Sequence, residues 1–539
     1  MTAFLTRGSL HLERIAGILL LAVFAVSCAK VGPDFVRPGA QVSDQWIESN
    51  DERVRTEIED HRQWWTSFQD PVLDRLIEIA YRENLTLRTA GVRVLQARAE
   101  LGIVVGRLYP QSQSLSGSWD RSRSSERSAG APQDPHQLTS SAYFTTSQAQ
   151  VGGAAAWELD FWGKFRRAVE SADASLLAAV ADYDNALVTL TAEVATSYIQ
   201  LRTYEERLKI AHENAVIQRE GLRLAEAKFR GGATTQRDVE QAKTLLAGTE
   251  ATIPALQILV GQAEHSLSLL LGKVQGQLDE ILGESRGIPS PPLEVAVGIP
   301  AELLRRRPDI RSAELQAAAQ CAQIGVAKAD LYPHFSLQGS FGFLSTDVGR
   351  FKLEDMFLWK SRTGSLGPTF QWDVLNYGRL TNNVRVQDAL FQQAILTYQQ
   401  AVLRAQKEVE DALIGFLRAQ EQAKLLKEST EAATRSLKLA MAQYREGMTD
   451  FTTVLTAQQA LLEQQNNWVS TLGDIGLNLV SLYRALGGGW QLREGQDFVP
   501  APTKAAMSER TDWGNLLDPK ALPSSTQDRK EPAIRRPDW

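Results

Sequence analysis

The chain is poor in the residues that build chemical centres: 2 cysteines, 6 histidines and 5 methionines in 539 residues. The histidines, His11, His61, His136, His212, His265 and His334, are scattered and show no metal-ligand spacing. With no cysteine cluster beside them, neither a metal centre nor a cofactor is expected. Excess basic charge is also missing, since a net charge of -6 and a pI near 5.7 leave no basic face for nucleic acid. The glycine pair Gly231-Gly232 follows a helical stretch rather than a strand, so it is a helix cap and not a phosphate loop. What is present, 43% hydrophobic and 23% charged residues, is the make-up of a folded protein with no sign of an enzyme.

Arg7 and Arg14 precede the apolar run from Ile15 to Val26, which is too short to span a bilayer and reads as a secretory signal over residues 1–27. Its end, Ala25-Val26-Ser27-Cys28, resembles a bacterial lipoprotein signal. That resemblance implies Cys28 as the first mature residue, carrying a diacylglycerol and an N-acyl chain. Ala29, rather than Asp, then favours the outer membrane. Removing Arg7, Arg14 and Glu13 takes the net charge from -6 to -7 and leaves Cys321, a small buried helix residue, as the one free thiol.

One unit occurs twice. Residues 157–246 align without a gap with residues 372–461, through Trp157-Glu158 against Trp372-Asp373, Gly163-Lys164 against Gly378-Arg379, and Ala227-Lys228-Phe229-Arg230 against Ala442-Gln443-Tyr444-Arg445. The apolar stripes Leu176, Val180, Tyr183, Leu187, Leu190, Val194, Tyr198, Leu201 and Phe391, Ile395, Tyr398, Val402, Val409, Leu413, Phe416 have coiled-coil spacing. No proline interrupts Gly163 to Phe229, so the helix would be about 100 Å long at 1.5 Å per residue. Gly231, Gly232 and Gly447 suit a left-handed helix end, and Thr234 or Thr235, and Thr449 or Asp450, suit the next cap.

Before each long helix the periodicity is two. Leu115, Gly117 and Trp119 alternate with serines, and Ala149 to Trp157 returns; Phe335 to Phe343 alternates with polar residues, and Phe370, Trp372 and Val374 return. Leu108-Tyr109-Pro110 and Leu331-Tyr332-Pro333 introduce the two hairpins. The expected division is a lipid-anchored arm at 28–69, a first repeat at 70–271, a linker at 272–300, a second repeat at 301–486 and a poorly ordered tail at 487–539. Helices are expected at 71–107, 233–271, 301–329 and 450–486. Stacking 233–271 on 301–329, and 71–107 on 450–486, would match each long helix in height. Phe229 and Tyr444, before the turns, read as packing residues.

An apolar strand face can look into lipid while its polar face lines a lumen. Four strands are too few for a membrane barrel, which needs about eight, so two, three or four chains must share one. The stretch Gly298-Ile299-Pro300-Ala301-Glu302-Leu303-Leu304-Arg305-Arg306-Arg307-Pro308-Asp309-Ile310, with Ala313-Glu314 and Leu331-Tyr332-Pro333, resembles the TolC-like outer-membrane factors, and within them the NodT-type outer-membrane lipoproteins of resistance-nodulation-division (RND) efflux systems. The resemblance implies a mainly α homotrimer with a 12-stranded β-barrel and a 12-helix tunnel. Its implied partners are a periplasmic adaptor (membrane fusion) protein, an inner-membrane RND pump and outer-membrane lipid. Competing readings are a duct for type I protein secretion and a coiled-coil scaffold or adhesin.

At the periplasmic tip, copies of Asp450, with Asp238 as a second candidate, would form a carboxylate ring that favours cations; the alternative is that Asp450 only caps its helix. The turns with Gly231, Gly232, Gly447 and Met448 are the expected adaptor contacts. Thr456 stands where many relatives in this family carry Asp. The run Arg305-Arg306-Arg307 suggests a phosphate or partner site, or a salt-bridged helix start beside Asp309, which is the preferred reading.

Overall fold

A computed structural model describes residues 30–57, 61–125, 143–283, 285–301, 306–347 and 352–518. Cys28, the signal stretch, Glu302 to Arg305 and the chain beyond Asp518 lie outside the described residues. In chain order come β1 (Val54–Arg55), α1 (Pro71–Glu83), α2 (Leu85–Gly106), the hairpin β2 (Ser112–Ser125) and β3 (Tyr143–Leu159), α3 (Lys164–Arg230) and α4 (Gln236–Leu270). A linker with α5 (Asp279–Leu282) and β4 (Val295–Ala296) leads to α6 (Pro308–Ala329), β5 (His334–Thr346), β6 (Arg362–Gln371), α7 (Arg379–Arg445), α8 (Phe451–Ala485) and α9 (Ala501–Arg510).

The duplication is carried into three dimensions. α3 and α7 have 67 residues each, and the expected α3 stripe from Leu176 to Leu201 is buried throughout. Fully burying one such leucine or valine is worth about 1.5–3 kcal/mol, so the seam outweighs the weak helix preference of its β-branched members. Near its start α3 lies against α6, where Gln323 Nε2 donates to Ser171 Oγ at 2.8 Å, and near its end against α4, where Arg219 pairs with Glu250 at 2.6 Å. α7 does the same with α6 and α8, through Gln320 to Gln387 at 2.8 Å and Ser429 to Gln464 at 3.1 Å.

The stacking of the short helices differs from the expectation. The expected helix 71–107 is two helices, because Asn84 leaves the helical conformation and caps α2 by accepting from the Leu87 amide at 2.8 Å. Its Nδ2 donates to the Leu270 carbonyl at the end of α4, also at 2.8 Å. So α4 abuts α2. Correspondingly, Arg307, at the start of α6, donates to the Ala485 carbonyl at the end of α8 at 2.7 Å. Each stack therefore joins a 35-residue helix to a 22-residue one, the same lengths in both repeats. Pro254 lies within α4 at an exposed position, so the amide it lacks removes a helix bond at the surface.

Residues 30–57 form an extended arm along α6 and α7. The Val31 amide donates to the Trp162 carbonyl, Gln399 and Gln406 donate to the carbonyls of Gly39 and Gln41, and Arg53 bonds Glu421. β1 then pairs in parallel with β4 of the linker. Cys321 is buried as expected, its thiol facing the Pro33 carbonyl at 3.8 Å and its pKa pushed up to about 11 by burial.

The tail up to Asp518 is folded, against the expectation of poor order. Phe498, Val499 and Met507 are buried, and Arg493 pairs with buried Asp184 of α3 at 2.5 and 2.9 Å. A Cβ on Gly91 of α2 would stand 2.1 Å from the Phe498 carbonyl oxygen, so only glycine admits the tail there. Of the prolines that suggested disorder, Pro502 is exposed and Pro500 half-buried while those from residue 519 on lie outside the described residues, and the buried Phe498, Val499 and Met507 with Arg493 anchor the segment.

Candidate functional site

The strands form one antiparallel sheet in the order β2-β3-β5-β6. Its register puts Leu115 opposite Gly153, Gly153 opposite Phe341, Trp157 opposite Leu337, and Gly339 opposite Leu366. Side chains directly opposite share a face, so the apolar residues of all four strands gather on one side. The other side pairs Ser114 with Ala154 and Ser340, and Ser336 with Glu158 and Thr369. Leu115, Trp119, Phe341, Leu366 and Phe370 are exposed, which leaves the apolar face without cover among the described residues.

A tryptophan closes each hairpin at its helix end. Trp157 Nε1 donates to the Leu108 carbonyl at 3.2 Å, and Trp372 Nε1 to the Leu331 carbonyl at 3.1 Å, the same bond in both repeats. An indole with its ring on the apolar side and its N–H satisfied suits a membrane boundary. β6 ends at Gln371, opposite His334 where β5 begins, so Trp372 and Val374 lie beyond the strand in which they were expected, with no residue of β5 left to pair with.

At the opposite end, α3 and α7 finish in the same turn. The Ala233 amide donates to the Lys228 carbonyl at 2.8 Å and the Met448 amide to the Gln443 carbonyl at 2.9 Å, with Gly232 at φ 71° and Gly447 at φ 77°. Gly231 is not left-handed: its φ is -81°, and its counterpart Glu446 has -78°. Asp450 caps α8, accepting from the Thr453 amide at 3.1 Å and the Thr453 hydroxyl at 3.0 Å, and stays exposed. Asp238 is buried in a capping box with Thr235 and accepts from the Thr234 hydroxyl, which, with the Thr235 amide, holds its carboxyl below the usual range. Tyr444 packs on Phe451 as expected, with Lys228 Nζ 4.7 Å above its ring. Phe229, by contrast, is exposed among the described residues.

The sequence model described as outer membrane efflux protein matches residues 76–273 and 299–488. The chain belongs to that family. Among its relatives, nodulation protein T of Rhizobium leguminosarum bv. trifolii is 31% identical over 464 residues, 85% of this chain and 94% of that protein. The pyoverdine export outer membrane protein OpmQ of Pseudomonas aeruginosa is 33% identical over 439 residues, 81% and 89% of the two chains. The solved outer-membrane channel OprN is similar at 33% identity with a TM-score of 0.78, covering 86% of this chain and 99% of that one. The protein is an outer-membrane efflux component of the Gram-negative envelope that reaches into the periplasm.

In this efflux protein most residues singled out in the sequence fall into two separate places, sheet and tip, with Arg307 and Cys321 between them, at the start of α6 and within it. Arg307 is buried and bonded to both Asp309 oxygens and to Glu408, as a helix start should be. A cluster at the joint of sheet and helices escaped the sequence reading. His334 Nδ1 lies 2.9 Å from Glu158 Oε1 and its Nε2 4.0 Å from Asp330, which pairs with Lys164 at 2.8 Å. Its four residues come from four elements or their ends, so spacing gave no signal. The one clue was strand parity, which puts Glu158 and His334 on the polar face.

Proposed function

We propose that copies of this chain close a shared β-barrel over a helical tunnel and serve as a passive exit duct for small molecules, such as drugs, toxic compounds or metal ions. The observation that carries this reading is a sheet with an uncovered apolar face and open edges at β2 and β6. Open backbone edges are not tolerated in hydrocarbon, so β6 of one copy pairs with β2 of the next. The copy number, three, is that of the resembled family. Two further surfaces support a ring. α7 carries an exposed stripe, Leu396, Leu403, Ile414, Leu425 and Leu439, and α4 exposes Ile258 and Leu269. α4 is apolar enough by length and composition to cross a membrane, with 11% of that window buried. A neighbouring chain's α7 gives it a protein cover instead.

A periplasmic adaptor and an inner-membrane RND pump load the duct in this proposal, with Gly231, Gly232, Gly447 and Met448 at the adaptor contact. The names of relatives that export pyoverdine or solvents favour efflux over protein secretion. Cys28 carries the lipid, which the intact mass of the mature chain tests. The repeats 70–271 and 301–486 act as two staves of one wall, supported by the two stretches that the family model matches. Purified protein in a planar bilayer is expected to give discrete conductance steps; a protein that stays water-soluble and single would end the duct reading. Crosslinkers at positions 232 and 447 are expected to capture the adaptor. Capture only from positions near the linker would move the contact there.

A further inference from the structure

The joint between the sheet and the long helices holds one histidine among carboxylates. We propose that His334 makes ion passage through the duct depend on pH, by adding positive charge to an acidic patch of the lumen wall. This rests on the reading that the polar sheet face lines the lumen. His334 belongs to that face by parity, since its register neighbour Ser336 stands opposite Glu158, and both polar side chains lie on the side of Ser340 and Thr369.

Every element at the joint contributes a named group. β3 brings Glu158, 2.9 Å from the imidazole; the end of α6 brings Asp330, at 4.0 Å; the start of α3 brings Lys164, bound to Asp330. β6 sets neutral Gln371 opposite His334, and Asp373 beyond it faces Arg379 at 3.5 Å. Asp160 is occupied by Arg166 and by the Phe165 and Arg166 amides at the head of α3. With a neutral imidazole the patch has two carboxylates and one ammonium, and attracts cations; with an imidazolium the charges balance. Histidine is the side chain whose charge changes between about pH 5 and pH 8.

The duplication supplies an internal contrast. At the joint of the other hairpin, Gln111 takes the place next to Tyr109-Pro110 that His334 takes next to Tyr332-Pro333. Gln111 Nε2 donates to the Arg107 and Glu158 carbonyls at 2.9 and 3.1 Å, and its Oε1 accepts from the Glu158 amide at 2.7 Å. Glutamine does not titrate, so an imidazole stands at only one of the two joints. The His334, Glu158, Asp330 and Lys164 side chains are each a little under a third exposed, open to permeating ions. Fixed charge on a pore wall acts over about 10 Å at moderate salt, so the effect is largest in dilute electrolyte.

The test is the reversal potential of the intact assembled protein in a potassium chloride gradient, measured between about pH 5 and pH 8. The natural chain is expected to lose cation preference as the pH falls. His334→Gln is expected to abolish most of that change, a result that a merely structural role would not produce. Glu158→Gln, measured in parallel, removes one fixed negative charge from the patch and is expected to lower cation preference at neutral pH. A His334→Gln profile equal to that of the natural chain, or a Glu158→Gln assembly whose cation preference at neutral pH is unchanged, overturns the proposal while leaving the duct intact. Absence of conductance from the natural chain at every pH overturns the duct itself.

Discussion

Asp450 accepts its hydrogen bonds from Thr453 while keeping an exposed carboxylate, so capping and charge can be separated by one substitution. Asparagine caps helices about as well as aspartate. Asp450→Asn is therefore expected to leave the unfolding temperature in place and to lower cation preference in a planar bilayer. Unchanged reversal potentials would reduce Asp450 to a cap. Asp238 is different, because it is buried and its Thr234 and Thr235 bonds favour the charged form. A carboxylate with a depressed pKa stabilises the fold above its unfolded value of about 3.9, and that contribution is lost as pH falls below it. Asp238→Ala is expected to loosen the tip by about 1 kcal/mol at neutral pH and to flatten its acid sensitivity, read as amide exchange in residues 232–240. Equal exchange in both proteins at neutral pH would contradict this. Such caps were legible in the sequence because turn chemistry is local. The exposure of Phe229 was not, since it depends on which side of α3 faces the other tip helices.

Helices and strands of this length announce themselves by period, and the two repeats confirm each other's boundaries to within a few residues. How they stack was hidden. Matching summed lengths allowed the wrong pairing, and only Asn84 to Leu270 and Arg307 to Ala485 fix the right one. The tail was misread for a related reason: its anchor, Arg493 with Asp184, joins residues 309 positions apart. Arg493 also stacks on Phe498, with its guanidinium carbon 4.8 Å from the ring centre. Removing one partner of a buried pair leaves the other charged and unpaired, at a cost of about 3–5 kcal/mol. Arg493→Ala is expected to lower the unfolding temperature and to expose residues 490–518 to protease. Asp184→Asn combined with Arg493→Met should recover a good part of the loss, because no buried charge is left alone. A double variant as unstable as Arg493→Ala would place the anchor in Phe498 and Met507 rather than in the ion pair.

In the proposed ring one chain is a fragment of a wall, and the clearest sign is that α7 has two apolar stripes of which the described residues cover only one. Tyr398, Val402, Val409, Leu413 and Phe416 are buried within the chain, whereas Leu396, Leu403, Ile414, Leu425 and Leu439 are exposed. The exposed set recurs at spacings of seven, eleven and fourteen residues, close to whole helical turns, so it forms a single line along the rod. A surface of this kind facing water would be a liability to a single soluble chain. The complement proposed for it, Ile258 and Leu269 of α4, lies on a different surface, so in the proposed assembly the contact runs head to tail and closes a ring rather than a two-fold pair. The double substitution Leu396→Arg with Leu403→Arg puts two guanidinium groups into that contact, where unpaired buried charge is strongly unfavourable. The seam against α6 and α8 lies on the other stripe, so helix content by circular dichroism is expected to stay the same. The mass of the particle in detergent is expected to fall from that of the assembly to that of one chain, with loss of conductance. An assembly that keeps its mass despite both arginines would show that α7 meets its neighbour along another line.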